Sequence, residues 1–295
     1  YIVVLFVLSV NLVSAISMDD VVLYINFDGE EVNDIVTDNS GNGKDGVMTK
    51  NIDCNAPGVF GGEACEFDGS EAYIDLGDIE EIKGISEFTL SAWMRRRSEN
   101  SMVLIGKQPL TGPVNDDLVI EFWHNGNLSY QVNTDPLGAN GLVDFVTNPS
   151  VNDNEWHHAV LVFNGNDVGN ENKLKAYLDG EEQVLDYRGG TVPSLTTTDP
   201  ENFKIGATNG GPTTPAYSDG WIDEVRIWTR ALDANEVKNI YNSNLNKYDI
   251  DKWTFFVEQD GLNALAPGLH NYKVCATDVS LGTECDNRNL DTTLA

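Results

Sequence analysis

Residues 153–165 read DNEWHHAVLVFNG, and how this stretch is read decides the fold. A tryptophan and two histidines stand directly before an apolar run. In an extended strand Trp156, His158, Val160 and Val162 point to one side, and His157, Ala159, Leu161 and Phe163 to the other. The two histidines then face opposite ways and cannot share a metal. No serine, cysteine or carboxylate of the same strand is placed to complete a triad with either. Both faces turn apolar farther along, so the strand is expected to be covered on both sides for much of its length. The cluster reads as the start of a core strand, with His157 alone left to reach a face.

Similar short runs surround it. VVLYINF (21–27), AYIDL (72–76), FTLSAWMRR (88–96), MVLIGK (102–107), LVIEFW (118–123) and LSYQV (128–132) precede it. KLKAYLD (173–179), QVLDY (183–187), FKIGA (203–207) and GWIDEVRIW (220–228) follow. Period-two alternation dominates them. Asn-, Asp- and Gly-rich turns separate them at NSGNGKDG (39–46), HNGN (124–127), NGND (164–167), LDGEE (178–182) and NGGPTTP (209–215). That spacing predicts an antiparallel sandwich, not alternating βαβ units. One short helix is expected at ANEVKNIYN (234–242), with Asp233 as N-cap, Glu236 closing a capping box, and Val237, Ile240 and Tyr241 as its apolar stripe. Coming after so many strands, it reads as a lid on the end of the sandwich.

Composition narrows the partners. Across 295 residues, 47 acidic side chains oppose 18 basic ones, a formal net charge of -29. A nucleic-acid backbone or an anionic membrane surface would be repelled, whereas cations, neutral sugars and basic partners would not. The apolar start YIVVLFVLSVNLVSA (1–15) is too short for a comfortable membrane span and ends in small residues, as a secretory signal does; a retained anchor helix is the alternative. Four cysteines suit export. Three pairings exist in principle, and the sequence-local ones, Cys54–Cys65 and Cys275–Cys285, are expected because each spans about ten residues with Gly or Pro between. Asn127 opens an Asn-Leu-Ser glycosylation acceptor.

In order, LYINFDG (23–29), DNSGNGKDGV (38–47), CEFDGSEAYIDLG (65–77), EFTLSAWM (87–94) and NEWHHAVLVFNG (154–165) form a series. LKAYLDGE (174–181), KIGATN (204–209) and DGWIDEVRIWTRALDANEVKNIYN (219–242) continue it. Together these motifs resemble the laminin G-like, concanavalin A-like lectin/glucanase superfamily over residues 19–244. The resemblance implies an all-β, two-sheet antiparallel jelly roll whose relatives mostly bind glycans or proteins, with some glycosidase branches. Residues 249–295 resemble the last strands of an immunoglobulin- or fibronectin-III-like module, in which a Tyr-x-Val-Cys-Ala strand (272–276) precedes the final hairpin.

The glycosidase branch needs two carboxylates on one strand face about 5 Å apart. Glu66/Asp68, Asp75/Asp78 and Asp223/Glu224 are the nearest candidates, and none gives an alternating acidic triplet. Asp223 and Glu224 are adjacent and are expected to face opposite ways. No catalytic residue is assigned. Calcium is the one cofactor in view, since it takes six to eight oxygen ligands from acidic loops. By resemblance a rim site would draw on Asp116 or Asp117 and on Asn209, Ser218 or Asp219; solvated acidic loops account for the same residues. A second, structural site could use Asp28, Asp38, Asn42 and Asp223, although an Asx-and-Gly turn through Asn39 and Asp45 explains that crowd without an ion.

Of the strand tryptophans, Trp93, Trp156, Trp221 and Trp228 are expected in the core, while Trp123 with His124 beside a turn is the expected exposed, ligand-binding pair. The expected function is a secreted or cell-surface, non-catalytic binding module for carbohydrate or glycoprotein, calcium-assisted, within a larger protein. A structural or adhesive spacer that meets only proteins is the alternative, and a glycoside hydrolase the third reading.

Overall fold

The computed structural model describes residues 20–29, 34–50, 52–60, 62–98, 102–107, 118–122, 128–132, 141–145, 151, 153–187, 191–209, 215–249, 252–257, 269–278 and 282–291; at 121–122, 129–131, 141–145, 209 and from 243 onward only the backbone is described. The 1–15 segment and Asn127 lie outside these residues. Among the described residues no helix is long and apolar enough to cross a membrane.

The strands run β1 (Val21–Ile25), β2 (Ile35–Val36), β3 (Gly46–Thr49), β4 (Asp53–Pro57), β5 (Glu63–Asp68), β6 (Tyr73–Gly77), β7 (Glu87–Arg96) and β8 (Met102–Lys107). Next come β9 (Leu118–Phe122), β10 (Leu128–Val132), β11 (Gly141–Phe145), β12 (Trp156–Asn164), β13 (Leu174–Leu178), β14 (Glu181–Gln183) and β15 (Leu185–Tyr187). β16 (Phe203–Ile205), β17 (Ala207–Asn209), β18 (Pro215–Tyr217) and β19 (Asp219–Trp228) follow. A helical turn α1 (Asn170–Lys173) precedes β13, and helix α2 (Ala234–Asn242) follows β19.

Two antiparallel sheets form the sandwich. One has eight strands in the order β14-β13-β12-β7-β19-β5-β4, with β1 also paired to β19. The other has nine in the order β15-β11-β10-β9-β8-β16-β6-β3-β2. QVLDY, expected as one strand, divides: β14 ends the first sheet and β15 the second, with the exposed Val184 at the crossing. FKIGA also divides, because Gly206 takes φ 89° between β16 and β17.

Between the sheets lies one apolar core, to which β12 contributes Ala159, Leu161 and Phe163, β7 contributes Phe88, Leu90, Ala92 and Met94, and β19 contributes Ile222, Val225 and Ile227. A disulfide joins Cys54 of β4 to Cys65 of β5 on this inner side. The opposite face of the first sheet carries a second apolar cluster. Val160, Val162, Tyr177, Trp228, Tyr24 and Val21 meet Leu232, Val237 and Ile240 there. Both faces of β12 are therefore buried, as its sequence requires.

The helix expected to close the end of the sandwich instead lies on this outer face. Its stripe dictates that placement: Val237 and Ile240 find their apolar partners on the sheet, and Tyr241 stacks on Trp93 at 5.5 Å between ring centroids. Its start is built as the sequence specifies. Asp233 Oδ1 accepts the Glu236 N–H at 2.9 Å, and Glu236 Oε2 accepts the Asp233 N–H at 2.9 Å, a reciprocal capping box.

The chain divides into two units, residues 1–255 and 256–295. Strands β20 (Ser243–Asp249) and β21 (Lys252–Val257) pair as a two-stranded sheet. In the second unit β22 (Leu269–Asp278) and β23 (Gly282–Asp291) form a hairpin whose register sets Cys275 opposite Cys285.

Candidate functional site

The two adjacent histidines meet opposite fates. His157 lies at the end of the inner face of β12, where its Nδ1 meets Asp179 Oδ2 at 2.7 Å and its Nε2 meets Asp153 Oδ1 at 3.2 Å. Burial alone would lower its pKa; the two carboxylates outweigh that and raise it. Asp179 is presented by a two-residue hairpin turn between β13 and β14, in which Asp179 and Gly180 both have positive φ, 52° and 76°. Asp179 Oδ1 also accepts the His158 N–H at 2.9 Å. His157 is thus a clasp between a hairpin tip and the strand, with both ring nitrogens engaged by carboxylates.

His158 points to the outer face and is sealed under α2. Its ring packs on Trp93 at 5.0 Å and on Tyr241 at 6.2 Å between centroids. Neither of its nitrogens has a hydrogen-bond partner among the described residues. Burial, helped by the nearby Arg226 charge, drops its pKa to about 3. It is a neutral core histidine.

Beside it lies the acid pair that the sequence places on opposite faces. The structure puts both on the outer one. The pairing of β19 with β7 slips between Asp223 and Arg226, and Glu224 takes φ 54° at this bulge. The extra residue rotates Val225 into the inter-sheet core and leaves Glu224 outside with Asp223. Tyr24 donates its hydroxyl to Glu224 Oε2 at 3.0 Å, Arg226 Nη2 pairs with the same carboxylate, and the Arg226 guanidinium covers the Tyr24 ring at 4.1 Å. Asp223 accepts the N–H of Glu224 at 2.7 Å and that of Val59 at 2.9 Å. Burial, with the Glu224 charge second, pushes the Asp223 carboxyl well above the usual carboxylate range. The segment over it is close-fitting: a Cβ on Gly58 would stand 2.7 Å from Asp223 Oδ2, and Phe60 meets Trp93 edge-on at 5.3 Å. Convergence of acids has therefore occurred, but inside a sealed packing layer.

The same face is open at its other end. Trp156 of β12, Arg95 of β7, Trp221 of β19 and Glu66 of β5 stand in register across four neighbouring strands. Both tryptophans are only half-buried. The guanidinium of Arg95 lies 4.8 Å and that of Arg97 4.6 Å from the Trp221 ring centroid. Arg97 is tied to Glu66 and, at 3.1 Å, to Asp219. Arg95 Nε donates to the backbone oxygen of Asn154 at 2.9 Å, and Arg95 has no carboxylate partner among the described residues. Trp93 and Trp228 sit in packing layers as expected; Trp156 and Trp221 do not, because they fall beyond the footprint of α2.

The expected calcium ligands fall partly within the described residues. Asp116, Asp117, Trp123 and His124 lie outside the described residues, as does the side chain of Asn209. Ser218 Oγ is buried and bonded to both N and O of Val103 at 2.8 Å, and Asp219 holds Arg97 and Ser98, the latter at 2.6 Å. In the turn at 38–45, Asp38 accepts four hydrogen bonds, from the N–H groups of Tyr24, Ser40 and Lys44 and from Ser40 Oγ. Asn42 turns its amide donor to the Val21 carbonyl at 2.9 Å. Asp28 lies near Asp223 and accepts the Glu63 N–H at 2.9 Å. The Asx turn accounts for Asp38 and Asn42 by itself, and an acceptor-saturated carboxylate does not suit a hard cation. Among the described residues no group of three or more His, Cys, Asp or Glu side chains could hold a metal ion.

No curated protein matches the sequence. Among solved structures, domain 4 of AbnA, a GH43 extracellular arabinanase from Geobacillus stearothermophilus in complex with arabinotriose, is 19% identical over 75% of this chain and 98% of that one, with a TM-score of 0.49. The binding domain of botulinum neurotoxin DC in complex with rat synaptotagmin II is 12% identical over 94% of this chain and 73% of that one, TM-score 0.55. The binding domain of Paraclostridial Mosquitocidal Protein 1 is 18% identical over 77% and 54%, TM-score 0.53, so the chain spans about half of that domain. A family model described as the concanavalin A-like lectin/glucanases superfamily, laminin G-like, matches residues 68–238, which run from the end of β5 into α2. The chain belongs to the laminin G-like branch of the concanavalin A-like lectin/glucanase superfamily.

Proposed function

We propose that the chain is a non-catalytic binding module for carbohydrate or glycoprotein, secreted or displayed at a cell surface as part of a larger protein. The observation that carries this reading is the state of Asp223 and Glu224. Among the described residues they are an acid pair brought together on the outer face beside His158, and both are buried and hydrogen-bonded, with the Gly58–Val59 segment against Asp223. Glycoside hydrolysis needs two carboxylates facing an open substrate path. The half-buried tryptophans at the open end of the same face supply instead the apolar surface that sugar rings stack on. The complex of the toxin binding domain with rat synaptotagmin II keeps a protein partner in view beside a glycan.

Export accords with the Cys54–Cys65 disulfide. We extend it to a second bond, Cys275–Cys285, on the strength of their opposed register, and to a C-terminal segment of immunoglobulin-like type. Calcium, where it assists, would rest on the Asp116–Asp117 loop, since Ser218 and Asp219 are already engaged. Screening the full chain on a glycan array with and without EDTA tests the reading. Glycan binding is expected. Loss in EDTA assigns calcium a role. Hydrolysis of a bound oligosaccharide, abolished by Asp223→Asn, would replace the binding module by an enzyme. Binding to proteins alone would favour the adhesive spacer.

A further inference from the structure

We infer that the open end of the outer face is a recognition site for a carboxylate-bearing sugar, a uronate oligosaccharide, centred on Arg95 and flanked by Trp156 and Trp221; the inference rests on the binding-module reading and assigns it a place and a ligand class.

Three features carry it. The first is register. Trp156, Arg95 and Trp221 are direct cross-strand neighbours on β12, β7 and β19. Adjacent strands lie about 4.8 Å apart, so the Cα atoms of Trp156 and Trp221 stand roughly 10 Å apart with that of Arg95 between them. The second is the state of the guanidinium. Arg97, its neighbour, is neutralised by Glu66 and Asp219, whereas Arg95 bonds only to Asn154, through Nε, among the described residues. Its two Nη groups remain as a planar fork, the geometry that grips a carboxylate through two parallel hydrogen bonds. The third is charge context. In a chain of net charge -29, a cation without an acidic partner on an open face is out of keeping with the surrounding surface, and an acidic group is the partner it complements.

Trp221 and Trp156 then play different parts. Trp221 has both guanidiniums against its ring, at 4.8 and 4.6 Å, so it is the platform that fixes their direction. Trp156 is the ring left to stack on the sugar. Glu66, paired with Arg97, borders the site and disfavours a second acidic group on that side.

The test compares trigalacturonate with its methyl ester by calorimetry on the full chain. The ester keeps the shape and loses the charge. Wild type is expected to bind the acid at least tenfold more tightly than the ester. Arg95→Gln should abolish that preference, and Arg95→Lys should retain only part of it, because an ammonium has no fork. Trp156→Ala should weaken acid and ester alike. The acid-to-ester ratio is read within each variant, so a folding defect shows as loss of both ligands, and Arg95→Lys serves where Arg95→Gln fails to fold. Equal binding of acid and ester, an Arg95→Gln variant that keeps the preference, or binding confined to other glycans would overturn this site and leave the binding module standing. No binding to any glycan would remove both.

Discussion

The outer face of the eight-stranded sheet has two halves made from the same materials. Each holds a tryptophan and an arginine from β7 and β19, with acid residues beside them. In the covered half the set is Trp93, Arg226, Asp223 and Glu224; in the open half it is Trp221, Arg95, Arg97 and Glu66. In the covered half each polar group is forced either to pair or to become neutral. Arg226 is held charged by Glu224, His158 is stripped of its proton, and Asp223 is driven toward its acid form. In the open half the groups are half-buried or exposed, and Arg95 has no acidic partner among the described residues. Helix α2 together with the Gly58–Phe60 segment separates framework from surface on a single sheet face.

The sharpest break of that comparison is removal of Arg226. Arg226→Ala leaves Glu224 buried next to Asp223 with no cation. Orphaning one member of a buried pair costs about 3–5 kcal/mol. Urea unfolding should show a midpoint shift of that size with the slope unchanged. A loss under about 1 kcal/mol would mean that water reaches the covered half, and the two halves would no longer differ in kind.

Proton linkage gives the next effect and divides neighbours in the chain. The native state rejects a proton at His158 down to about pH 3, while the unfolded chain takes it near pH 6.5. Stability from this residue is therefore complete above about pH 6.5 and falls as pH drops, by about 1.4 kcal/mol per unit where the two states differ by one proton. His157 behaves in the opposite sense. Its pKa is raised, so its contribution is complete below about pH 6.5 and is lost as pH climbs through the raised value. Asp223, also raised, adds stability on the acid side and partly masks the His158 slope. Unfolding free energies measured from pH 4 to 8 should show a flatter acid limb in His158→Phe and a flatter alkaline limb in His157→Gln. Parallel curves for wild type and both variants would refute the opposed environments.

The sequence supports the sandwich and the helix start because both rest on local chemistry. Alternation fixes which side chains enter the core, and Asp233 with Glu236 completes its cap within four residues. The opposed histidines follow from the same alternation. The acid pair does not. Period two holds only while a strand is regular, and nothing in IDEVRI announces that Glu224 adopts φ 54° and turns the phase. The signal was available in reverse: Val225 and Ile227 can both enter the core with Ile222 only if one residue is skipped. Nor could strand pattern alone separate Trp156 and Trp221 from Trp93 and Trp228. What separates them is the footprint of α2, a tertiary contact whose position alternation does not encode. The triplet Arg95-Arg96-Arg97, unusual in so acidic a chain, was the available hint to the open half.

The smallest effect tests the open half from the stability side. Arg95 is half-buried, and its replacement by alanine removes a hydrogen bond to a backbone carbonyl that water can replace, together with one cation–π contact. Such contacts at exposed sites contribute about 0.5–1 kcal/mol, so Arg95→Ala should cost no more than about 1 kcal/mol, well below Arg226→Ala. A double-mutant cycle of Arg95→Ala with Trp221→Phe should return a coupling of about 0.5 kcal/mol, since phenylalanine keeps an aromatic face but a weaker one. Zero coupling would free the Trp221 ring from its role as platform. The indole would then be available for stacking alongside Trp156, and a neutral sugar would suit the face as well as an acidic one. The stability cycle thus bears on ligand class before any ligand is offered, because a ring engaged by two guanidiniums and a ring open to a pyranose are alternative states of the same side chain.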